Sequence, residues 1–353
     1  MSLRWREKVT MPKPNGDSSQ PNRVPVSMVT GFLGSGKTTL INYLIEQEGM
    51  RDTALIINEF GEIGLDHVLV ESSFENTLLL ENGCICCSIR GDLIDTICDL
   101  FAKVGNGQLP PFTRIVIETT GLANPAPIAH NILTDDAVIN RCALECVVTL
   151  VDGVLGRVHI ERFEEAVTQI SQADLVLVSK ADLCSKDDIS GLRVTVLKIN
   201  PSLDIAAIEH GKIDPDFLFL KSGGHGKEHS HHVHHDEHDD GHEHSQDHRH
   251  GDISTWSLVH DAPLDEERLR AWLSMIYSLR PYAMLRLKGY LRLAGHQRPL
   301  LMQAVGSSIS PPEWLDAWPD GKKETRLVLI FKGLSVTAVR SSFHNHVLND
   351  GVN

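Results

Sequence analysis

The residues whose spacing most clearly indicates chemistry lie between Val24 and Asn42, in the stretch VPVSMVTGFLGSGKTTLIN. An apolar segment with the character of a β-strand leads into GFLGSGKT, and the apolar positions after it recur at helical spacing. This is the pattern G-x-x-x-x-G-K-[ST] in the strand-then-helix order that the motif requires. Its glycines allow consecutive backbone N–H groups to surround phosphate oxygens, and a helix N-terminus adds partial positive charge. The sequence therefore predicts a polyphosphate site built from Gly31, Phe32, Leu33, Gly34, Ser35, Gly36, Lys37, Thr38 and Thr39.

Lys37, Thr38 and Glu118 are the predicted catalytic residues. In a phosphate loop of this type the lysine reaches the β- and γ-phosphates and the threonine hydroxyl binds Mg²⁺. Glu118 ends the apolar strand RIVIE, where a Mg²⁺-linked carboxylate is expected, although a helix-capping role is the alternative. Gly121 follows closely enough to give its N–H to the γ-phosphate. Asp152, at the end of TLVD, is a weaker candidate for the same site.

A second nucleotide signal, Ser179-Lys180-Ala181-Asp182, directly follows the apolar run LVLV. A carboxylate at Asp182 can accept hydrogen bonds from N1–H and the exocyclic amine of guanine, whereas adenine presents an acceptor at N1. The aliphatic stem of Lys180 can cover the base. Alone, the pattern also fits a solvated turn; downstream of a phosphate loop it favours GTP over ATP.

Cys84, Cys86 and Cys87 place three thiols within four residues, at what the sequence indicates is a junction between a strand and a helix. A helix N-terminus lowers thiol pKa, and thiolates are soft metal ligands. Three ligands leave a fourth position open, which suits a site that releases its metal. Zn²⁺ is favoured, Co²⁺, Ni²⁺ and Cu⁺ stay open, and redox-active or merely packed cysteines are the alternatives. The remaining cysteines are expected to be core or incidental residues: Cys98, Cys142, Cys146 and Cys184.

Two further segments could contact metal. The loop EFGEIGLD and the residue after it contain Glu59, Glu62, Asp66 and His67, which could contact Mg²⁺, the γ-phosphate or the transported metal. An acidic solvated loop is the alternative. Between His225 and His250 there are eleven histidines in 26 residues. Such a segment can gather metal ions loosely through exchangeable imidazoles, for example His231, His232, His234 and His235, or act as a soluble spacer.

Strands alternating with helical segments predict an α/β fold, in which a parallel sheet carries helices on both faces, followed by a small C-terminal α+β domain. Ligands of such sheets bind beyond the carboxyl ends of the strands. Five of these motifs are expected to lie there: Gly31–Thr38, Glu59–Asp66, Cys84–Cys87, Glu118–Gly121 and Ser179–Asp182. We divide the chain into a disordered tail (1–23), a nucleotide-binding domain (24–220), a His-rich disordered linker (221–251) and the C-terminal domain (252–353).

Composition excludes several classes of function. The formal charge of −14 over 353 residues argues against nucleic acid or an anionic membrane surface as the main partner. No apolar run approaches the roughly 20 residues that span a bilayer. The first 23 residues lack the apolar core of a secretory signal, so reduced thiols and a cytoplasmic location are expected.

With these motifs in order, the chain resembles the CobW-like family of metal-linked P-loop GTPases, relatives of the nickel-insertion GTPases for urease and hydrogenase. The motifs are GFLGSGKTTL, INEFGEIGLD, ENGCICCSIRGDL, IETTGLANP, SKAD and KINP, and Asn200 in KINP joins the predicted nucleotide-binding residues. The resemblance implies slow GTP hydrolysis coupled to metal transfer. Ser179 departs from the Asn of the N-K-x-D pattern.

The leading hypothesis is a GTP-hydrolysing metallochaperone that uses GTP and Mg²⁺ to control zinc at the cysteines and passes the metal to a client metalloprotein. Cobalt delivery for cobalamin synthesis is a rival within the class. A metal-buffering protein with a regulatory nucleotide site is the rival from another class, and a small-molecule kinase is disfavoured because no acceptor-site motif is visible. The sequence leaves the client, the metal and homodimer formation open. The hypothesis requires the phosphate loop and the cysteines to share one edge of the sheet.

Overall fold

The computed structural model describes residues 23–57, 77–79, 85–88, 93–219, 253–280 and 282–348, with 77–79, 85–88 and 320 described by their backbone alone. In the first part of the chain, strands and helices alternate. The strands are β1 (Val24–Gly31), β2 (Thr53–Ile57), β3 (Thr77–Leu79), β4 (Ile85–Ser88), β5 (Arg114–Glu118), β6 (Cys142–Asp152), β7 (Leu175–Ser179) and β8 (Asp204–Ala207). The helices are α1 (Lys37–Leu44), α2 (Leu93–Gly105), α3 (Pro125–Thr134), α4 (Gly156–Arg162), α5 (Glu164–Gln172) and α6 (Lys186–Ile199).

These strands form one eight-stranded sheet in the order β3-β4-β2-β5-β1-β6-β7-β8. Every pairing from β4 to β8 is parallel, and only β3 pairs antiparallel, with β4. Strands β2 and β7 are buried along their whole length, because helices cover both faces. The predicted parallel sheet with helices on both faces is confirmed, apart from β3.

The carboxyl ends of five strands meet at one edge of this sheet: Gly31 of β1, Glu118 of β5, Asp152 of β6, Ser179 of β7 and Ala207 of β8. The register supports this placement, since Val29 pairs with Glu118, and Asp152 pairs with Ser179. Three of the five predicted motifs, at Gly31–Thr38, Glu118–Gly121 and Ser179–Asp182, therefore converge through the geometry of parallel pairing, together with the weaker candidate Asp152.

The C-terminal part contains a second, antiparallel sheet covered on one face by two helices. Trp272, Phe331 and Phe343 are its largest buried side chains on that face. The strands are β9 (Ile253–His260), β10 (Met284–Leu291), β11 (Leu300–Val305), β12 (Ser308–Ile309), β13 (Glu313–Trp314) and β14 (Thr325–Lys332), and the helices are α7 (Glu266–Leu279) and α8 (Val336–Phe343). The order β12-β11-β10-β14-β9, with β13 on β11, agrees with the predicted small α+β domain.

The second sheet also contacts the first domain. Asp174, which follows α5, forms ion pairs with Arg286 and Lys288 of β10, and both partners lie on the same strand. On α3, His130 Nδ1 lies 2.8 Å from the Ser308 hydroxyl. Val305 of β11 packs in a hydrophobic cluster of the first domain. The two domains therefore share buried contacts of both polar and apolar kinds.

Three helical features differ from the sequence prediction. The sequence predicts neither α3 nor α8, and its periodicity predicts one helix over 161–171 where the structure has two, α4 and α5, separated at Phe163. Prolines 125 and 127 obscure α3, yet a proline in the first turn costs no hydrogen bond, and Asn124 caps the helix by accepting from Ala126 N–H. Within the described parts of the chain, no helix has both the length and the hydropathy needed to cross a bilayer.

Candidate functional site

The phosphate loop joins β1 to α1 in a backbone conformation that only glycine adopts easily. Gly31, Gly34 and Gly36 all have positive φ, at 147°, 73° and 93°. A Cβ on Gly31 would lie 2.5 Å from the carbonyl oxygen of Leu150, so a larger residue is excluded there. Helix α1 begins after Gly36 with no side-chain cap and no acidic residue in its first turn. Its first N–H groups therefore point into the loop and favour an anion.

Lys37 and Ser35 place polar groups at this loop. The Lys37 ammonium donates to the carbonyl oxygens of Gly31 at 2.9 Å and Phe32 at 3.4 Å, so it lies against the loop. The Ser35 hydroxyl is fully buried and has no hydrogen-bond partner among the described residues. A buried hydroxyl without a partner is costly unless something completes it, and a bound phosphate oxygen could do so.

The segment after β5 is tied to the phosphate loop. Glu118 is buried at the end of the strand, and the Thr119 hydroxyl donates to the Thr30 hydroxyl at 2.9 Å. A Cβ on Gly121 would lie 2.6 Å from Cδ2 of Leu33, so this glycine packs directly on the phosphate loop. The predicted acid and the predicted γ-phosphate donor are thus adjacent to the loop that they were expected to serve.

Helix α5 holds the same segment from its other side. The buried amide of Gln169 donates to the carbonyl oxygens of Gly121 at 3.2 Å and Ala123 at 3.0 Å. One turn later, the Gln172 amide donates to the Asn124 side chain at 3.0 Å. Sequence reasoning missed both glutamines, because their burial against this segment is a property of tertiary packing and leaves no pattern in the sequence.

The predicted base motif follows β7. The Ser179 hydroxyl donates to the Ser35 carbonyl oxygen at 2.6 Å, so the residue that replaces Asn in the N-K-x-D pattern joins the motif to the phosphate loop. Lys180 adopts a left-handed conformation with φ of 55°, and its ammonium lies 2.6 Å from Asp152. The Asp182 side chain is 22% exposed and thus accessible to a ligand.

The loop after β8 completes this part of the site and was missed by sequence reasoning. Its backbone is joined to the base motif, because Ala181 N–H donates to the Ile208 carbonyl oxygen at 3.2 Å. His210 Nδ1 lies 4.0 Å from the Asp182 carboxylate, and a Cβ on Gly211 would lie 2.8 Å from the Thr39 carbonyl oxygen. Its place in the chain could have identified this loop, because it also follows a strand that ends at the ligand-binding edge.

Asn200 lies elsewhere. It is fully buried at the end of α6, where its amide donates to the carbonyl oxygens of Ile170, Ser171 and Ala173. Helix α6 leads into the start of β8, so Asn200 is at the edge of the sheet opposite the phosphate loop. The KINP motif thus supplies a packing residue, and Asn200 does not belong to the nucleotide site.

Cys86 and Cys87 lie inside strand β4, which corrects the predicted strand-to-helix junction. Cys86 pairs with Leu55 and Cys87 with Ile56, one residue before the end of the strand, whereas α2 begins only at Leu93. The preceding strand, β3, is antiparallel, so the motif does not follow the carboxyl end of a parallel strand. Strand β4 is three strand spacings, roughly 14 Å, from β1. Cys86 and Cys87 therefore lie neither at the opposite edge of the sheet, where the strands begin, nor directly at the ligand-binding edge, where they end.

Several predicted metal ligands lie outside the described residues: Cys84, Glu59, Glu62, Asp66, His67, His231, His232, His234 and His235. Within the described ranges, no group of three or more His, Cys, Asp or Glu residues is placed to hold a metal ion. The other cysteines behave as predicted for core or incidental thiols. Cys142 and Cys146 are buried, and burial raises the pKa of Cys142 to about 12.

A phosphate loop after β1, an acid after β5 and a base motif after β7, all at one edge of a parallel sheet, define a P-loop nucleotide-binding protein. The family model for the CobW/HypB/UreG nucleotide-binding domain matches residues 25–207, and that for the cobalamin synthesis protein cobW C-terminal domain matches residues 253–347. The chain belongs to the CobW/HypB/UreG family and carries the CobW C-terminal domain.

Similar proteins are known from bacteria and fungi. The zinc chaperone YjiA of Escherichia coli is 31% identical over 322 residues, covering 91% of this chain and 98% of the relative. The zinc chaperone CobW of a Sinorhizobium species is 30% identical, covering 91% and 96%. The zinc-regulated GTPase metalloprotein activator 1 of Schizosaccharomyces pombe is 34% identical, covering 58% and 50%. The crystal structure of Zn(II)-bound YjiA GTPase superposes with a TM-score of 0.70 at 29% identity, covering 92% of this chain and 99% of that one.

Proposed function

We propose that this protein is a GTP-hydrolysing metallochaperone that binds a transition metal, zinc in the first place, and transfers it to a client metalloprotein. The proposal rests above all on one observation: at a single edge of the sheet, the base motif is hydrogen-bonded to the phosphate loop through Ser179 and Ser35, and the segment after β5 is hydrogen-bonded to the end of β1 through Thr119 and Thr30. The names of the relatives, which describe zinc chaperones and a zinc-regulated GTPase, support the choice of nucleotide and metal.

The nucleotide roles follow from position. Lys37 is already at the loop and would exchange its carbonyl partners for the β- and γ-phosphates. Thr38 and Glu118 would hold Mg²⁺, and their hydroxyl and carboxylate oxygens are the hard donors that this ion prefers. When held there, Mg²⁺ would neutralise charge on the phosphates. Asp182 would select guanine, with the backbone around Ile208 closing the base site.

The metal would be held by Cys84, Cys86 and Cys87, with Glu59, Glu62, Asp66 or His67 as further ligands. Thiolates favour zinc, and cobalt is the main competitor. Strand β4 pairs with β2, and β2 pairs with β5, so the cysteine strand is separated by one strand from the strand that ends in Glu118. The His-rich segment would act as a weak reservoir that raises the local metal concentration.

Helix α5 supports a route from nucleotide to the C-terminal domain. Its Gln169 and Gln172 hold the segment 121–124, and Asp174 just beyond its end pairs with Arg286. At its start, Glu164 pairs with Lys332 of β14. A rearrangement of the segment after β5 on GTP hydrolysis would therefore be passed to the second sheet, where a client could respond.

A metal titration tests the proposal. Purified protein is titrated with zinc in the presence of GDP or of a non-hydrolysable GTP analogue, and the two affinities are compared. We expect tighter zinc binding in the GTP-like state, at least tenfold weaker binding for Cys86→Ser, and wild-type binding for the control Cys98→Ser on α2. Equal zinc affinity in both nucleotide states would refute nucleotide-driven transfer.

A deletion distinguishes chaperone from metal buffer. Removal of residues 224–250 should slow zinc loading and leave the tight site intact. Loss of the tight site in this deletion, with Cys86→Ser unaffected, would favour the metal-buffering protein with a regulatory nucleotide site.

We also propose a cytoplasmic location, since the described cysteines Cys98, Cys142, Cys146 and Cys184 are all free thiols.

A further inference from the structure

Asp152 is a buried carboxylate with both oxygens in use. It is the last residue of β6 and only 2% exposed. Its Oδ1 accepts hydrogen bonds from the N–H groups of Val154 at 2.8 Å and Leu155 at 3.0 Å, while its Oδ2 accepts from the Lys180 ammonium at 2.6 Å. One oxygen thus shapes its own turn, and the other binds a residue of the base motif.

The two turns are pressed against each other. Gly153 N–H donates to the Ser179 carbonyl oxygen at 2.9 Å, and a Cβ on Gly153 would lie 2.6 Å from that oxygen. Only glycine therefore allows the approach that brings Asp152 beside Lys180. The contact is local to the ligand-binding edge, where β6 and β7 both end.

Lys180 is constrained at both of its ends. Its backbone is left-handed, which is uncommon for a residue with a side chain, and its ammonium is fixed by Asp152. The side chain remains 38% exposed. A lysine whose two ends are fixed and whose middle is exposed presents its methylene stem as a surface in one orientation.

We propose that Asp152 is a positioning residue of the base site: by holding the Lys180 ammonium, it fixes the lysine stem as the wall that covers one face of the purine. This inference rests on the proposed function, because it requires a nucleotide base beside Asp182. Pre-organisation of the stem means that no side-chain entropy is lost when the base enters, so affinity for the base rises without a direct contact from Asp152.

Substitution of the carboxylate by an amide tests this role. Asp152→Asn keeps an oxygen for the two backbone N–H groups and removes the charge that holds Lys180. Isothermal titration calorimetry should show GDP binding about tenfold weaker, while pyrophosphate, which occupies only the phosphate loop, binds as in the wild type. Lys180→Met should also weaken GDP binding about tenfold, and the double variant should be no weaker than the weaker single variant, because both remove the same contact.

Asp188→Asn is the matched control. Asp188 lies a few residues further along the same segment and accepts from the Ser185 N–H and hydroxyl at the start of α6, away from the proposed base wall. The Asp188→Asn variant should bind GDP as the wild type does. Unchanged GDP affinity in Asp152→Asn, or equal loss of GDP and pyrophosphate affinity, would overturn the inference and leave the proposed function standing. Failure of the wild-type protein to bind GDP at all would overturn both.

Discussion

The Ser179 hydroxyl donates a 2.6 Å hydrogen bond to the carbonyl oxygen of Ser35, so the end of β7 and the phosphate loop are joined without an intervening residue. The bond is buried, and it occupies the place where the N-K-x-D pattern has an asparagine. A serine at this position therefore keeps the two halves of the nucleotide site in register.

Removal of this bond should weaken both the fold and the site. Ser179→Ala leaves the Ser35 carbonyl without its donor, which costs on the order of 1 kcal/mol of unfolding free energy. We expect GDP binding to weaken several-fold, measured by calorimetry beside urea unfolding. Ser190→Ala, at an exposed position of α6, is the control and should change neither quantity. Unaltered GDP affinity in Ser179→Ala would show that the bond is not part of the site.

The base preference should change when the Asp182 carboxylate becomes an amide. Asp182→Asn loses the acceptor for the guanine amine and gains a donor that suits the C2 carbonyl of xanthine. An unmatched polar pair costs about 1–3 kcal/mol, so GDP affinity should fall by roughly 10- to 100-fold while affinity for xanthosine diphosphate rises. Competition against a fluorescent nucleotide measures both. Asp187→Asn, in the first turn of α6, should keep guanine preference, and retention of guanine preference in Asp182→Asn would place the base elsewhere.

The Gln169 amide should control the mobility of the segment after β5. Gln169→Leu removes the donors to Gly121 and Ala123 with little change in size, so amide hydrogen exchange across 119–124 should accelerate and GTP hydrolysis should slow. The exposed Gln108 provides the control variant Gln108→Leu. If exchange in this segment stays at the wild-type rate, α5 does not hold it.

The ion pairs of Asp174 should make the free energy of unfolding depend on pH in the acid range. Burial alone would raise the pKa of Asp174, but the charges of Arg286 and Lys288 and the Val147 N–H outweigh it and hold the pKa below the ordinary 3.8. A lowered carboxyl pKa stabilises the fold above pH 3.8, and this contribution is lost as pH falls through the lower value of the folded state. Urea unfolding between pH 2 and 7 measures the loss.

Disruption of the same pair at neutral pH should be costly. Arg286→Met leaves a buried carboxylate with Lys288 as its remaining charged partner and the Val147 N–H as its remaining backbone donor. The free energy of unfolding should fall by about 3 kcal/mol, and it should depend less steeply on pH in the acid range. The exposed pair Arg298–Asp316 gives the control Arg298→Met, which should unfold as the wild type does. An unchanged unfolding midpoint in Arg286→Met would mean that the contact between the domains adds no stability.

Local chemistry and strand order allowed much of the nucleotide edge to be predicted. The loop from Gly31 to Thr38 needs backbone conformations that few sequences supply, and the carboxyl ends of parallel strands must meet, so Glu118 and Asp182 followed from their positions. The loop after β8, with His210, also follows a strand end, but the roles of Gln169 and His210 toward their partners could not be found in this way. Their roles depend on which helix or loop lies opposite, and that is a property of tertiary packing rather than of spacing along the chain.

The hairpin that contains Cys86 and Cys87 could have been predicted from the sequence. Asn82-Gly83 stands between two short apolar runs, which is a strong indication of a β-hairpin. The antiparallel pairing of β3 with β4 agrees with that indication. Cysteine is small and apolar enough to continue a strand, so Cys86 and Cys87 lie within β4, where a strand-to-helix junction was predicted.

Val305, from the second domain, completes an apolar cluster that also contains Val26 and Ile115 of the first. Packing between described residues of the two domains therefore holds them together in addition to the covalent chain. A protease cut anywhere between residues 220 and 252 should yield two fragments that still co-elute on gel filtration.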